Sequence, residues 1–248
     1  MTTLDVALPS LPNLRDLGGL PTRDGGRIRP GVLLRSESPS LAEPHDAVAL
    51  ADRFGVTDVI DLRRDDEAER KPLPPALADR VQRHAIPFAV EAPPHVSDAM
   101  FASDEIRPAD VGRYYAWMAS ENVAQLRAVA ARVADADGAV LVHCAIGKDR
   151  TGVTTALTLL GVGVEERLVI DDYVRSHAAM RMTLPRHDPE LTADDIDRDV
   201  RLGAPAEVLA AFLAALGEEH GSADGFWHVL DPEGGLRAAL DRRLVTRG

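Results

Sequence analysis

Residues 138–152, GAVLVHCAIGKDRTG, pass from an unbroken apolar run into a small-residue turn carrying two cations, and then into a helical pattern. An apolar run without polar alternation suits a strand covered on both faces, the environment of a parallel sheet. The rest of the chain supplies the alternation such a sheet needs. GGRIRPGVLLRSES predicts a turn and then a strand over 28–34; SLAEPHDAVALADRFG predicts a helix closed by Gly55; VTDVIDLR and VQRHAIP predict strands over 56–62 and 81–86. We therefore expect an α/β fold with a central, mostly parallel sheet of about four to five strands flanked by helices.

The 248 residues are expected to form one domain. Residues 87–110, PFAVEAPPHVSDAMFASDEIRPAD, have no clean period and several prolines, and read as a loop or lid with little regular structure. Over 111–136 the pattern is helical, with Leu126, Val129, Ala130 and Val133 on one stripe. RTGVTTALTLLG reads as a helix whose end Gly161 marks, and EERLVIDDYVRSHAAM places Ile170, Tyr173, Val174 and His177 on one face, His177 as a core or boundary residue. Residues 205–248 read as C-terminal helices: Leu209, Phe212, Leu213 and Leu216 form a stripe between Pro205 and Gly217, and two short helical segments surround a Gly-Gly turn.

Cys144 is the only cysteine and closes the apolar run, and Arg150 follows six positions later. Between them the chain must wrap tightly, which the small residues Ala145 and Gly147 permit. Such a loop turns consecutive N–H groups inward, and the N-terminus of the following helix adds positive dipole, making a cradle for an anion such as a phosphoryl group. The same field lowers a cysteine pKa from its ordinary ~8.5 and generates the nucleophilic thiolate. Arg150 can grip two phosphoryl oxygens in a bidentate fork, and Thr151 can donate its hydroxyl to sulfur as a leaving group. An isolated cysteine is usually a small buried hydrophobe. That reading would leave Arg150, Gly147 and the strand-to-helix junction as coincidence.

The segment HCAIGKDRTG resembles the signature of the protein tyrosine phosphatase superfamily, His-Cys followed by five residues and Arg-Thr-Gly. Together with NLRDLGGLPTRDG, RPGVLLRSESP and VIDLRRDDE it is similar to an atypical bacterial branch of that superfamily, which tolerates phosphoinositides. The resemblance implies a phosphotyrosine-phosphatase-like fold and a metal-independent, cofactor-free hydrolase; the alternatives are an inactive phosphate-binding interaction module or a redox-sensitive thiol protein. Cys144 would form a phosphocysteine, and the Arg150 side chain with the N–H groups of Ala145, Ile146, Gly147, Lys148, Asp149 and Arg150 would bind the phosphoryl oxygens. Asp149 would be the general acid inside the loop, although an N-cap role stays open. Asp98, Asp104 and Asp110 in the long loop are rival acids. Lys148 would add a second cation for substrates with several phosphates, and His143 would hold the cysteine loop. Arg15, Asp16, Arg35, Asp61 and Arg63 read as structural hydrogen-bonding residues, with Arg35 or Arg63 able to line the pocket.

The expected partners are phosphorylated proteins or phosphoinositides. A net charge of −12 argues against general nucleic-acid affinity. No apolar run is long enough for a membrane span. One cysteine and no basic, apolar leader suggest the cytoplasm, with non-classical export open. DDIDRDV fails as a calcium loop, because Val200 stands where Gly is required and Ala206 where Glu is required. Neither a Walker motif nor clustered zinc ligands are present, since Asp149 follows Lys148 and the cysteine is single.

Overall fold

A computed structural model describes residues 7–101 and 105–247. The strands are β1 (Arg15–Asp16), β2 (Arg27–Ile28), β3 (Leu33–Ser36), β4 (Val56–Asp61), β5 (Gln82–Ala85), β6 (Ala139–His143) and β7 (Val245–Thr246). Five of them form one sheet in the order β1-β3-β6-β4-β5, parallel throughout except for β1, which lies antiparallel on the β3 edge. β6 is central. Its side chains alternate between two cores: Val140 and Val142 pack into the larger, Ala139 and Leu141 into the smaller.

The helices are α1 (Pro44–Asp52), α2 (Asp65–Arg70), α3 (Pro75–Ala78), α4 (Pro94–Phe101), α5 (Pro108–Glu121), α6 (Val123–Asp135), α7 (Asp149–Gly161), α8 (Glu166–Val174), α9 (Ser176–Thr183), α10 (Ala193–Arg198), α11 (Ala206–His220), α12 (Ala223–Leu230) and α13 (Gly235–Leu244). Residues of α1 and α3 fill the smaller core on one face of the sheet, while α5, α6, α7 and α11 contribute to the larger core on the other. Both faces of β3 and β6 are thus covered, as their apolar sequence requires, while the edge strand β5 stays largely exposed.

Four expectations about elements need correction. The strand expected over 28–34 is two strands in different sheets: β2 pairs with β7, and the chain turns at Pro30, which has no N–H to donate, before β3 joins the main sheet. The helix expected over 111–136 breaks at buried Asn122, whose amide bonds the Ala89 N–H, the Ala89 carbonyl and the Met118 carbonyl. The segment 87–110 is not irregular throughout, because α4 starts at Pro94 and α5 at Pro108, two helices opened by prolines that suit a first turn. Gly217 lies inside α11 rather than after it, whereas Gly161 is the last residue of α7, as expected. At Gly161 a Cβ would sit 2.4–2.6 Å from the Trp227 indole.

Candidate active site

His143, the last residue of β6, is in register with Ser36 of β3 and Asp61 of β4. Cys144 therefore emerges at the carboxyl end of the sheet's central strand, where open α/β sheets place their ligand sites. It is buried, at 1% exposure. The chain then turns through Ala145, Ile146, Gly147 and Lys148 into α7.

Each carbonyl of this loop has a partner outside the turn. His143 Nδ1 lies 2.9 Å from the Cys144 oxygen, and the Ser38 N–H donates to Ala145 at 2.9 Å. Asn13 Nδ2 donates to Ile146 at 3.0 Å, Arg35 Nη2 to Gly147 at 2.8 Å, and the Gly152 N–H to Lys148 at 2.8 Å. Carbonyls held outward turn the N–H groups that follow them inward, beside the positive end of α7. Gly147 is required here. Its φ is +73°, and a Cβ would fall 2.4 Å from the Ser36 carbonyl.

The anchors are themselves tied to one buried carboxylate. Asp172 of α8 receives Arg15 Nε at 2.6 Å and Arg35 Nη1 at 2.7 Å, while Arg15 Nη1 donates to Asn13 Oδ1 at 2.6 Å. Burial opposes the charge on Asp172, but the two guanidinium groups outweigh it and hold its pKa at about 2. Arg35, pushed down to about 10 by burial and by Arg15, remains a cation.

Arg150 is nearly buried, and Glu67 of α2 holds it through Nη1 at 2.6 Å and Nη2 at 2.9 Å. Burial works against its charge, and the Glu67 bond and the nearby sulfur outweigh that, raising its pKa. Nη1 also reaches the Leu62 carbonyl at 3.3 Å. These bonds leave Nε–H and one Nη2–H side by side, the fork that grips two oxygens of a tetrahedral anion. Thr151 is fully buried, and its Oγ1 has no hydrogen-bond partner among the described residues. A buried hydroxyl of this kind calls for an explanation.

Asp149 is the first residue of α7; the N-cap position belongs to Lys148, so of the two readings open for Asp149 the capping one is not seen. Its Oδ1 accepts a short hydrogen bond from Tyr115 of α5 and lies 3.3 Å from Lys148 Nζ. Lys148, expected from sequence as a second cation of the loop, has its ammonium turned onto backbone carbonyls. It is fully buried and donates to the carbonyls of Arg201 and Gly203, because the chain folds back over it after α10. His143 is also fully buried, its pKa lowered to about 4 by burial against the pull of Asp61.

The rival acids are arranged differently. Asp110 closes the first turn of α5 and is held by Arg107 and Arg113. Asp98 lies exposed on α4, and Asp104 falls outside the described residues. Arg15 and Arg35 hold the loop from behind, Asp16 binds the N–H groups of Gly18 and Gly31, and Asp61 binds Arg63 and Arg83. Arg63, with Ser38, Lys71, His187 and Ala145, lines a cavity of about 270 Å³ beside the loop. A second cavity, of about 400 Å³, is lined by Val90, Tyr114, Met118, Asp149, Arg150 and Leu202. Among the described residues no cluster of His, Cys, Asp or Glu is set to hold a metal ion, and no helix is long and apolar enough to cross a membrane.

Asn13, Glu67, Tyr115 and Asp172 belong to this site and were not singled out from sequence. Asn13 and Glu67 lie within the family-like blocks NLRD and RRDDE, a signal that could have found them. Tyr115 and Asp172 carry no local signal beyond being polar on helix faces that turn inward.

A buried thiol at the carboxyl end of a parallel strand, inside an outward-anchored amide loop beside an arginine fork, defines a cysteine-based phosphoryl-transfer enzyme. The chain belongs to the tyrosine phosphatase family, whose model matches residues 6–246. It is similar to the triple specificity protein phosphatase PtpB of Mycobacterium tuberculosis, at 31% identity over 88% of this chain and 91% of that one. It is also similar to a tyrosine-protein phosphatase of Nostoc commune, at 30% identity over 79% of this chain and 74% of that one.

Proposed function

We propose that the protein hydrolyses phosphotyrosine monoesters through a phosphocysteine on Cys144, with phosphoserine, phosphothreonine or phosphoinositide monoesters as further substrates. The observation that carries this reading is the anchoring of the carbonyls of Cys144, Ala145, Ile146 and Gly147 behind the loop, which turns the amides that follow them inward around Cys144.

In the first step Cys144 Sγ attacks phosphorus, the bond to the leaving oxygen breaks, and Asp149 gives that oxygen a proton. In the second, water attacks the phosphocysteine, Asp149 takes the proton back, and sulfur departs as thiolate toward the unpartnered Thr151 hydroxyl. The free fork of Arg150 and the loop amides bind the equatorial oxygens, whose charge grows in both transition states. The apolar wall of Val90, Tyr114, Met118 and Leu202 supports an aromatic leaving group. The wider substrate range is supported by the name of the mycobacterial relative and not by Lys148, whose ammonium is buried on carbonyls. A lone cysteine that must stay reduced to react supports a cytoplasmic setting.

The test is phosphate release from p-nitrophenyl phosphate in the presence of a chelator. Cys144→Ser is expected to lower turnover by at least about 10³-fold while oxyanion binding persists. Normal turnover by that variant would remove Cys144 from the mechanism, and loss of wild-type activity to the chelator would remove metal independence.

A further inference from the structure

The two oxygens of the Asp149 carboxyl have unequal surroundings. Oδ1 is met by the Tyr115 hydroxyl and, at 3.3 Å, by Lys148 Nζ. Among the described residues Oδ2 accepts no hydrogen bond, and Asp149 lines the cavity of about 400 Å³ that also holds Arg150. Oδ2 is thus the oxygen free to carry a proton to a leaving group in that cavity.

A phenol has one proton to give. Because Tyr115 gives it to Asp149, the contact of 3.1 Å between the Tyr115 and Tyr173 hydroxyls has Tyr173 as donor. The result is a directed chain from Tyr173 of α8 through Tyr115 of α5 to Oδ1 of Asp149, and such chains polarise each donor in turn. Both rings are fully buried, and burial first, then the Asp149 charge, raises both phenol pKa values, so the chain stays protonated. Tyr115 is also held laterally, edge-on to Tyr173 and Phe212.

We infer that Tyr115 is a positioning residue for the proton-transfer step: it fixes Oδ1 of Asp149 so that Oδ2 presents its proton to the leaving oxygen. The inference rests on the reading of Asp149 as the acid.

The experiment measures kcat/KM across aryl and alkyl phosphates of graded leaving-group pKa for wild type, Y115F, Y173F, D149A and Y115F/D149A, with pH profiles. For poor leaving groups Y115F is expected to lose about ten- to a hundredfold, with little loss for p-nitrophenyl phosphate. Its alkaline limb should move to higher pH, because a carboxylate that loses a donor holds its proton longer. Y173F keeps the Tyr115 bond but removes the donor that polarises it, so its limb should move in the same direction by less than in Y115F, and Y115F should add nothing in the D149A background. Site-specific 3-fluorotyrosine at 115 keeps the ring and hydroxyl but donates more strongly. It should move the limb to lower pH, which tests the inference even where Y115F does not fold. A uniform loss across leaving groups in Y115F, an undiminished loss in the double variant, or an unmoved limb with fluorotyrosine would overturn the role of Tyr115 alone. A D149A profile independent of the leaving group would overturn the acid assignment and the role of Tyr115 with it.

Discussion

Glu37 shows how much of this site is decided by single buried groups. It is 2% exposed, and the Cβ that Gly147 lacks would fall 2.5 Å from its backbone nitrogen, so it lies directly under the phosphate loop. Burial raises its pKa to about 7 against hydrogen bonds from its own backbone, the Asn13 N–H and the Thr183 hydroxyl. A carboxyl whose folded pKa is raised favours the fold while protonated. Its contribution is complete below the ordinary carboxyl pKa and is lost as pH rises through about 7, a span on the order of 3 kcal/mol. Glu37→Gln keeps the shape without the charge, so it should flatten the fall in stability between pH 5 and 8. Urea midpoints for both proteins at each pH check this, and parallel curves would mean that Glu37 does not titrate in that window. The residues missed from sequence belong to this scale as well. Nothing near Asp172 announces that its carboxylate binds Arg15 and Arg35, 157 and 137 positions away.

The loop from Cys144 to Lys148 works as one element because β3 lies against it. The Ser38 N–H and the Arg35 side chain hold two of its carbonyls, and the backbone of Ser36 and Glu37 closes on Gly147. Gly147→Ala therefore faces both a positive φ of +73° and a collision with backbone that cannot move aside. A loss of about 1–3 kcal/mol in stability is expected. Turnover should fall about a hundredfold or more, since amides displaced by an ångström no longer meet the transition state. Calorimetry and kcat together check this, and unchanged kcat would show that the loop tolerates rearrangement. At the same scale, the central strand, its loop and the following helix were legible because apolar run, glycine and cation succeed one another within fifteen residues. α4 and the break at Asn122 were not, because the first lies among prolines that read as loop and the second depends on a tertiary bond to Ala89.

At the scale of the whole molecule, the site draws on β1, β3, α2, α5, α7 and α8, so filling it should stabilise the entire fold. An oxyanion such as tungstate at about 100 times its Kd is expected to raise Tm by roughly 5–10 °C. Arg150→Ala should abolish most of that shift; an equal shift in the variant would locate oxyanion binding elsewhere. The sequence by itself determined the α/β class, the central apolar strand, and the Cys144-to-Arg150 loop with Asp149 inside it. Each of these is a local pattern whose meaning depends on spacing along a few turns of backbone. Tertiary structure alone decided that Lys148 is buried beneath the carbonyls of 201 and 203, and that Asp172 holds Arg15 and Arg35. It likewise decided that Glu67 holds Arg150 and that Tyr115 faces Asp149. Those pairs lie 34 to 157 residues apart, and which polar groups meet once water is excluded is a property of packing that no local pattern encodes.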